Sequence, residues 1–282
     1  MVESNWRSGA LLGGAERELA GAPAGRPDPA PPLPLPGWMD VKGFVDIHCH
    51  LLPGLDEGPE TWQLAEEMVR RARRAGTLAA IATPHCSIRF PFDAERTSAC
   101  LRRMEDNLPH GPAVFGGCEL QLNDEAVRDF AKTPRAYTLN GTRYVLVELL
   151  PQVVAASVGN VLDSFRERGY IPILAHPERY RLLSKHPLWL RTWKNQGCLI
   201  QLTASSLTGA MGTAILSAAT AMVREGMAHF VASDAHDLVR RPPSLLEGFC
   251  ATAEIAGVAS AGKLFTHNPL ALLHDQTVEQ IC

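Results

Sequence analysis

Seven short strand-like runs recur along this chain, and each ends on a residue able to hold a metal ion or a hydrogen bond. The runs are Phe44–Ile47, Leu78–Ala82, Ala113–Gly116, Tyr144–Val147, Ile171–Ala175, Leu199–Leu202 and His229–Ala232. Their starts are spaced by roughly 27 to 35 residues, about the length of one βα unit. Helical patterns fill the intervals. Glu60–Ala75 carries Leu64, Met68 and Ala72 on one face and stops at Gly76. Thr97, Leu101, Met104 and Leu108 repeat at helical spacing after Asp93, an N-cap candidate. Val158–Arg168 and Thr213–Glu225 close at Gly169 and Gly226 in the same way. Strands alternating with helices predict a mostly parallel sheet with right-handed crossovers.

The strand ends choose between architectures. After the first run come His48 and His50, after the second His85, after the third Glu119. The fourth carries Glu148, the fifth His176, the sixth Gln201, and the seventh Asp234 and His236. In a closed parallel barrel all these ends converge on one face, whereas a doubly wound sheet spreads them along a crevice. A distorted seven-stranded (β/α) barrel is therefore expected, with its site at the C-terminal ends of the strands. Taken singly, a His-x-His pair is equally well explained by surface or core histidines, and Asp-Ala-His by a capping Asp. Seven consecutive strand ends loaded this way in a chain with 10 His are not. Glu148 is hard to dismiss even alone, because an unpaired carboxylate in an apolar strand is costly to bury. Imidazole with carboxylate suits zinc, manganese or iron better than magnesium alone. The ligand candidates are His48, His50, Asp56, His85, Glu119, Glu148, His176, Asp234 and His236, enough for two or three divalent ions. His110, His186, His229, His267 and His274 fall elsewhere and read as surface or structural.

Other classes recede. The formal net charge of -3 argues against duplex nucleic acid or an anionic membrane as a partner. No apolar stretch approaches the ~18 residues of a spanning helix. Seven cysteines, with no C-x-x-C, do not make a disulfide framework, so a cytoplasmic location is expected. Residues 1–42 are rich in Pro and Ala and read as a disordered extension, and 43–282 as the folded domain.

The motifs then resemble a known family. Asp46-Ile-His-Cys-His-Leu-Leu-Pro-Gly-Leu-Asp-Glu-Gly-Pro59 is similar to the first motif of the PHP (polymerase and histidinol phosphatase) superfamily. Within it, the likeness is to bacterial capsule and exopolysaccharide tyrosine phosphatases of the CpsB/YwqE type. Ala82-Thr-Pro-His85, Gly117-Cys-Glu119, His176-Pro-Glu-Arg179 and Ala232-Ser-Asp-Ala-His236 resemble the later motifs, in order. The resemblance implies a trinuclear centre, manganese first, with iron, zinc or magnesium as alternatives. It implies that His48, His50, Glu119 and Asp234 hold one ion, and that Glu119 bridges to a second held with Glu148 and His176. It assigns Asp56, His85 and His236 to a third ion, and phosphate binding to Arg179 and Arg241. Glu57 stands where Asp is commoner, and Cys86-Ser-Ile-Arg-Phe-Pro-Phe92 replaces a more polar loop.

The implied activity is hydrolysis of phosphotyrosine on a protein, such as a bacterial tyrosine kinase of polysaccharide export, by attack of a metal-bridging hydroxide. Asp234 or His236 would help protonate the phenolate. The thiolate route fails on spacing, because no Arg lies six residues after any internal cysteine. No phosphate-cradling G-x-x-x-x-G-K-[ST] motif is present either. The competing readings are a small-molecule phosphatase, for example on histidinol phosphate, a nuclease, an amidohydrolase, and a non-catalytic metal-stabilised regulatory module.

Overall fold

The computed structural model describes residues 43–108, 110–150 and 155–280, without the side chains of residues 155 and 156. The extension expected over residues 1–42 lies outside the described residues. Apolar runs buried on both faces form parallel strands. In chain order they are β1 (Phe44–Cys49), β2 (Thr77–Ala82), β3 (His85–Cys86), β4 (Ala113–Gly116), β5 (Glu119–Gln121), β6 (Tyr144–Glu148), β7 (Ile171–Ala175), β8 (Leu199–Thr203) and β9 (Phe230–Ala232). All pairings are parallel, in a three-stranded sheet β1-β2-β4 and a six-stranded sheet β3-β5-β6-β7-β8-β9. The fold is α/β.

The seven expected strands thus become nine among the described residues, in two sheets. The expected Leu78–Ala82 and Ala113–Gly116 are present within β2 and β4, and β3 and β5 are short added strands just beyond them. Pro84, which has no N–H to donate, separates β2 from β3, and Gly117-Cys118 separates β4 from β5. Backbone bonds still cross the gaps, from Gly117 N to Ala82 O at 3.0 Å and from Glu119 N to Pro84 O at 3.1 Å.

Helices follow the strands as the periodicity predicts, with their starts fixed by side-chain caps. Thr61 accepts from Leu64 N at 3.3 Å and opens Trp62–Arg74, while Asp93 accepts from Arg96 N at 2.9 Å and opens Ala94–Asn107. The first helix and Ala155–Glu167 are followed by Gly76 at φ +93° and Gly169 at φ +84°, a left-handed turn that glycine takes without penalty. No helix among the described residues is long and apolar enough to cross a membrane.

Side-chain alternation delivers the strand ends to one place. Ile81, Phe115, Leu146, Ile173 and Phe230 pack together in one buried cluster, while Leu120, Val147, Leu174 and Val231 face the other way, into the helix-side core. Continuing the inner set by twos leads from Ile81 to His85, Phe115 to Glu119, Leu146 to Glu148 and Phe230 to Asp234. β1 needs a correction to the rhythm. Between Asp46 and Cys49 it advances three residues while β2 advances two, a bulge that transfers the inward direction from Ile47 to His48. His176 lies one residue past its inner neighbour Ala175 and adopts φ +36°. Asp234 adopts φ +50°. Left-handed backbone at non-glycine residues costs about 1–2 kcal/mol each and is concentrated at functional sites.

His229 fills the structural role expected of it. It is buried, its Nδ1 accepts from Ile200 N at 3.1 Å, and burial together with Lys194 lowers its pKa from 6.5 to about 4. The unfolded chain therefore binds the extra proton first, so stability is fully present above the unfolded value. As pH falls from about 6.5 to about 4 the protein is expected to lose up to about 3 kcal/mol through this residue. Urea titrations across that window should show a shallower slope for His229→Asn; an unchanged slope would remove His229 as the cause.

Candidate metal centre

The four side chains expected to share one ion do converge. His48 Nε2 lies 3.3 Å from His50 Nε2, 3.3 Å from Glu119 Oε2 and 3.3 Å from Asp234 Oδ1. His50 Nε2 lies 3.5 Å from each of the same two carboxylate oxygens. Ligands 2.0–2.2 Å from one tetrahedral ion stand about 3.3–3.6 Å apart. These five distances suit ligands of a shared ion, although Asp234 groups with His48 and His176 rather than with Glu119. Glu119, His48 and Asp234 are fully buried.

The tautomers are fixed from behind. Gln201 donates its amide nitrogen to Leu202 O at 2.7 Å, so its oxygen turns to accept from His48 Nδ1 at 2.9 Å. His50 Nδ1 donates to Asp56 Oδ2 at 2.6 Å, and His236 Nδ1 donates to the backbone oxygen of Asp234 at 2.9 Å. In the neutral imidazole each of these bonds leaves Nε2 with the lone pair a metal ligand requires. His236 Nε2 and Glu119 Oε2 are buried with no hydrogen-bond partner. Orphaned acceptors aimed into an N/O donor set fit divalent cations.

Further groups adjoin the first. His176 Nε2 lies 2.8 Å from Glu119 Oε1, so the two oxygens of Glu119 face different histidines. His85 Nδ1 lies 3.0 Å from Glu119 Oε2 and 4.0 Å from Glu148 Oε2, and Gln121 donates to Glu148 at 3.2 Å. Ligand atoms within reach of a shared ion form the groups His50-His85-His236, His48-His50-Glu119, His48-His176-Asp234 and His85-Glu119-Glu148. Eight of the nine expected ligands fall in these groups; Asp56 does not. The structure joins His85 and His236 to His50 where the resemblance joins them to Asp56. Asp56 instead accepts from His50 Nδ1 and, at 3.0 Å, from His85 N through Oδ2, and from Gly58 N at 2.9 Å through Oδ1. Glu57, next in sequence, stands 3.4 Å from His85 Nε2.

Electrostatics point the same way. Burial alone would push the Glu119 and Asp234 carboxyls up, but His48 above all holds both well below the usual range. Burial pulls His48 and His50 down, and Glu119 and Asp56 respectively overcome it and raise them. Glu148 is raised, by burial and then by the Glu119 charge. Cations bound here would take over the compensating charge and release protons.

Both expected phosphate-binding arginines reach this centre. Arg179 donates to Asp234 Oδ2 and, at 3.0 Å, to Thr203 Oγ1. Arg241 Nη1 lies 3.4 Å from the same Asp234 oxygen, whereas its neighbour Arg240 is exposed. Asp237 builds the turn that presents Arg241, accepting from Val239 N at 2.6 Å and Arg240 N at 2.5 Å. Glu178 accepts from Thr203 N at 2.9 Å and Ser206 Oγ at 2.7 Å, so it braces the neighbouring strand rather than pairing with Arg179. Gln201, noted in the sequence as a polar strand end, and Glu178, within the His176-Pro-Glu-Arg179 motif, are positioning residues whose partners the sequence did not reveal. Buried Asp46 is another, accepting from Ser233 N at 3.0 Å and thereby tying β1 to the end of β9.

The four buried cysteines, Cys49, Cys86, Cys118 and Cys198, are poor nucleophiles. Burial pushes the Cys86 and Cys198 thiols up to about 12, and Cys49 and Cys118 are raised well above the ordinary value. Six free thiols and no disulfide occur among the described residues. Protein purified without chelators is expected to carry two to three divalent ions per chain by elemental analysis, because the donor groups exceed what one ion accommodates. A reproducible value at or below about one would sink the multinuclear arrangement.

Comparison with known proteins agrees with this geometry. Residues 44–274 match the family described as capsular polysaccharide synthesis, CpsB/CapC. The tyrosine-protein phosphatase YwqE of Bacillus subtilis is 31% identical over 245 residues, covering 83% of this chain and 93% of that protein. The tyrosine-protein phosphatase CpsB of Streptococcus agalactiae is 27% identical over 245 residues, covering 83% of this chain and all of that one. Among solved structures, work on YwqE from Bacillus subtilis and CpsB from Streptococcus pneumoniae describes unique metal-dependent tyrosine phosphatases. Its matching chain has a TM-score of 0.78 at 30% identity, with 84% of this chain and 97% of that chain covered. A D-hydantoinase at TM-score 0.51 and 11% identity, over 81% of this chain and 70% of its own, shares the fold alone.

Proposed function

This chain belongs to the CpsB/CapC family of capsular polysaccharide synthesis, and from that premise we propose that it is a metal-dependent phosphatase acting on phosphotyrosine in a protein. The observation that carries the reading is the convergence of His48, His50, Glu119 and Asp234 beside two arginines. We assign those four, with His85, Glu148, His176 and His236, as ligands of two to three divalent ions, manganese first. Asp56 we assign as the residue that orients His50. Such ions supply local positive charge and activate water for attack on phosphorus.

The chain's own residues do the rest. Arg179 and Arg241 are the groups to grip the non-bridging phosphoryl oxygens, exchanging their bond to Asp234 Oδ2 for the substrate. Thr203 and the turn built by Asp237 keep the two guanidinium groups in place. Proton delivery to the phenolate, a leaving group of pKa about 10, is a modest demand, and it does not fall to Asp234, held ionised, or to His236, lowered by burial to about 2. Cysteines take no part.

We also propose that the two sheets make up one distorted seven-stranded barrel. The parallel bridge Cys49–Ala235, with His50 N to Ala235 O and Asp234 N to His48 O both at 2.8 Å, supports closure between β1 and β9. A tyrosine kinase of polysaccharide export is the proposed partner, on the strength of the family's role in capsule synthesis. A cytoplasmic site of action suits the six unpaired thiols.

The test is a kinetic comparison of a phosphotyrosine peptide, a phosphoserine peptide and histidinol phosphate on metal-reconstituted protein. The phosphotyrosine peptide is expected to have the highest kcat/KM, by about tenfold or more, because the phenolate leaves most readily. A preference for histidinol phosphate would make it a small-molecule phosphatase, and no turnover of any of the three would make it a regulatory module.

A further inference from the structure

We infer that the face opposite the metal centre carries a second anion site, one that takes a multiply charged oxyanion such as a diphosphate. A cavity of about 540 Å³ opens there, lined among others by Arg135, Arg143, Arg166, Arg168, Tyr170 and Asp275. Arg143 immediately precedes β6 and Tyr170 immediately precedes β7, so the cavity lies at the N-terminal ends of the strands whose C-terminal ends carry Glu148 and His176. Four arginines thus line one cavity, with Asp275 as its only lining carboxylate among the described residues.

Part of that charge is already answered by the protein. Arg143 Nε stands 3.5 Å from Asp275 Oδ1, and Arg166 pairs with Asp163. Arg168 differs. Its Nη2 donates to Ala131 O at 3.3 Å, while its Nε and Nη1 are buried with no partner. Tyr170 is only 5% exposed, and its hydroxyl is also buried without a partner. Buried donors left unpaired are uncommon and costly, and an oxyanion supplies the acceptors they lack. Guanidinium forks match phosphoryl oxygens bidentately, and the volume exceeds what a single phosphate needs.

A simpler account is that the arginines offset the C-terminal dipole of the helix Ala155–Glu167. That covers Arg166, which lies in its last turn. It leaves the uncharged hydroxyl of Tyr170, buried without a partner, unexplained. The partial negative charge at that helix end opposes an anion, but full guanidinium charges outweigh it.

The proposal is independent of the phosphatase reading, and inorganic pyrophosphate is the probe. Calorimetric titration into the metal-loaded protein is expected to show a binding event that Arg179→Ala leaves unchanged. Arg168→Gln should weaken that event by about tenfold or more, since a charge-assisted bond is lost. Tyr170→Phe, which removes only the hydroxyl, should weaken it by about threefold or more. In both variants kcat/KM for an aryl phosphate, measured without pyrophosphate, should stay within about twofold because the metal centre is untouched. If Arg168→Gln does not fold, Tyr170→Phe decides. Pyrophosphate binding that is abolished by Arg179→Ala, or unchanged in Tyr170→Phe and in any folded Arg168→Gln protein, would overturn the inference.

Discussion

Glu119→Gln is expected to lower kcat/KM by at least about a hundredfold, equivalent to about 2.7 kcal/mol of transition-state stabilisation. One carboxylate here meets four imidazoles: His176 through Oε1 at 2.8 Å, and His85, His48 and His50 through Oε2 at 3.0, 3.3 and 3.5 Å. Gln preserves the shape but removes the negative charge and turns one ligand oxygen into an NH₂ that cannot bind a metal. Bound metal should fall together with rate. Arg179→Ala makes the contrast, since it touches Asp234 Oδ2 and Thr203 but belongs to none of the candidate metal groups. Its loss of rate should come with unchanged metal content, measured on the same sample. A Glu119→Gln protein within about threefold of the parent rate would remove Glu119 from the centre.

Exhaustive chelation is expected to abolish activity, and Cys86→Ser to leave it within about twofold of the parent. The cysteines are the only other side chains in the chain capable of the usual tyrosine-phosphatase chemistry. Cys86 neighbours His85, yet its thiol is buried and pushed up to about 12, so almost none is thiolate at neutral pH. Restoration by added manganese, together with indifference to thiol alkylation, would complete the expected result. Activity that survives chelation and disappears in Cys86→Ser would overturn the metal mechanism. Vanadate does not discriminate, because it mimics the phosphoryl transition state on either route.

Acid should act on both the site and the scaffold. Metal binding must displace protons from His48 and His50, whose neighbouring carboxylates raise their pKa values. Stability falls over the separate window set by His229.

Much of this protein is written locally in its sequence. Four of the seven strand-end positions, those of His85, Glu119, Glu148 and Asp234, follow from apolar alternation alone, because a strand's side chains repeat every two residues. Helix starts at Thr61 and Asp93 are equally local, since a cap bonds an amide only three residues away. The tertiary structure decided what such rules cannot reach. Pro84 separates the short strand that carries His85 from β2, and a bulge in β1 turns His48 inward against the alternation. Gln201 fixes the tautomer of His48 across 153 residues of chain, and Asp56 closes on His50 and the amide of His85 rather than joining His236. Arg168 and Tyr170 line one cavity with Arg143 only because the N-termini of β6 and β7 are brought side by side. Periodicity records which way a side chain points within its own element. Which partner it meets there depends on elements far away in sequence, and packing alone brings them together.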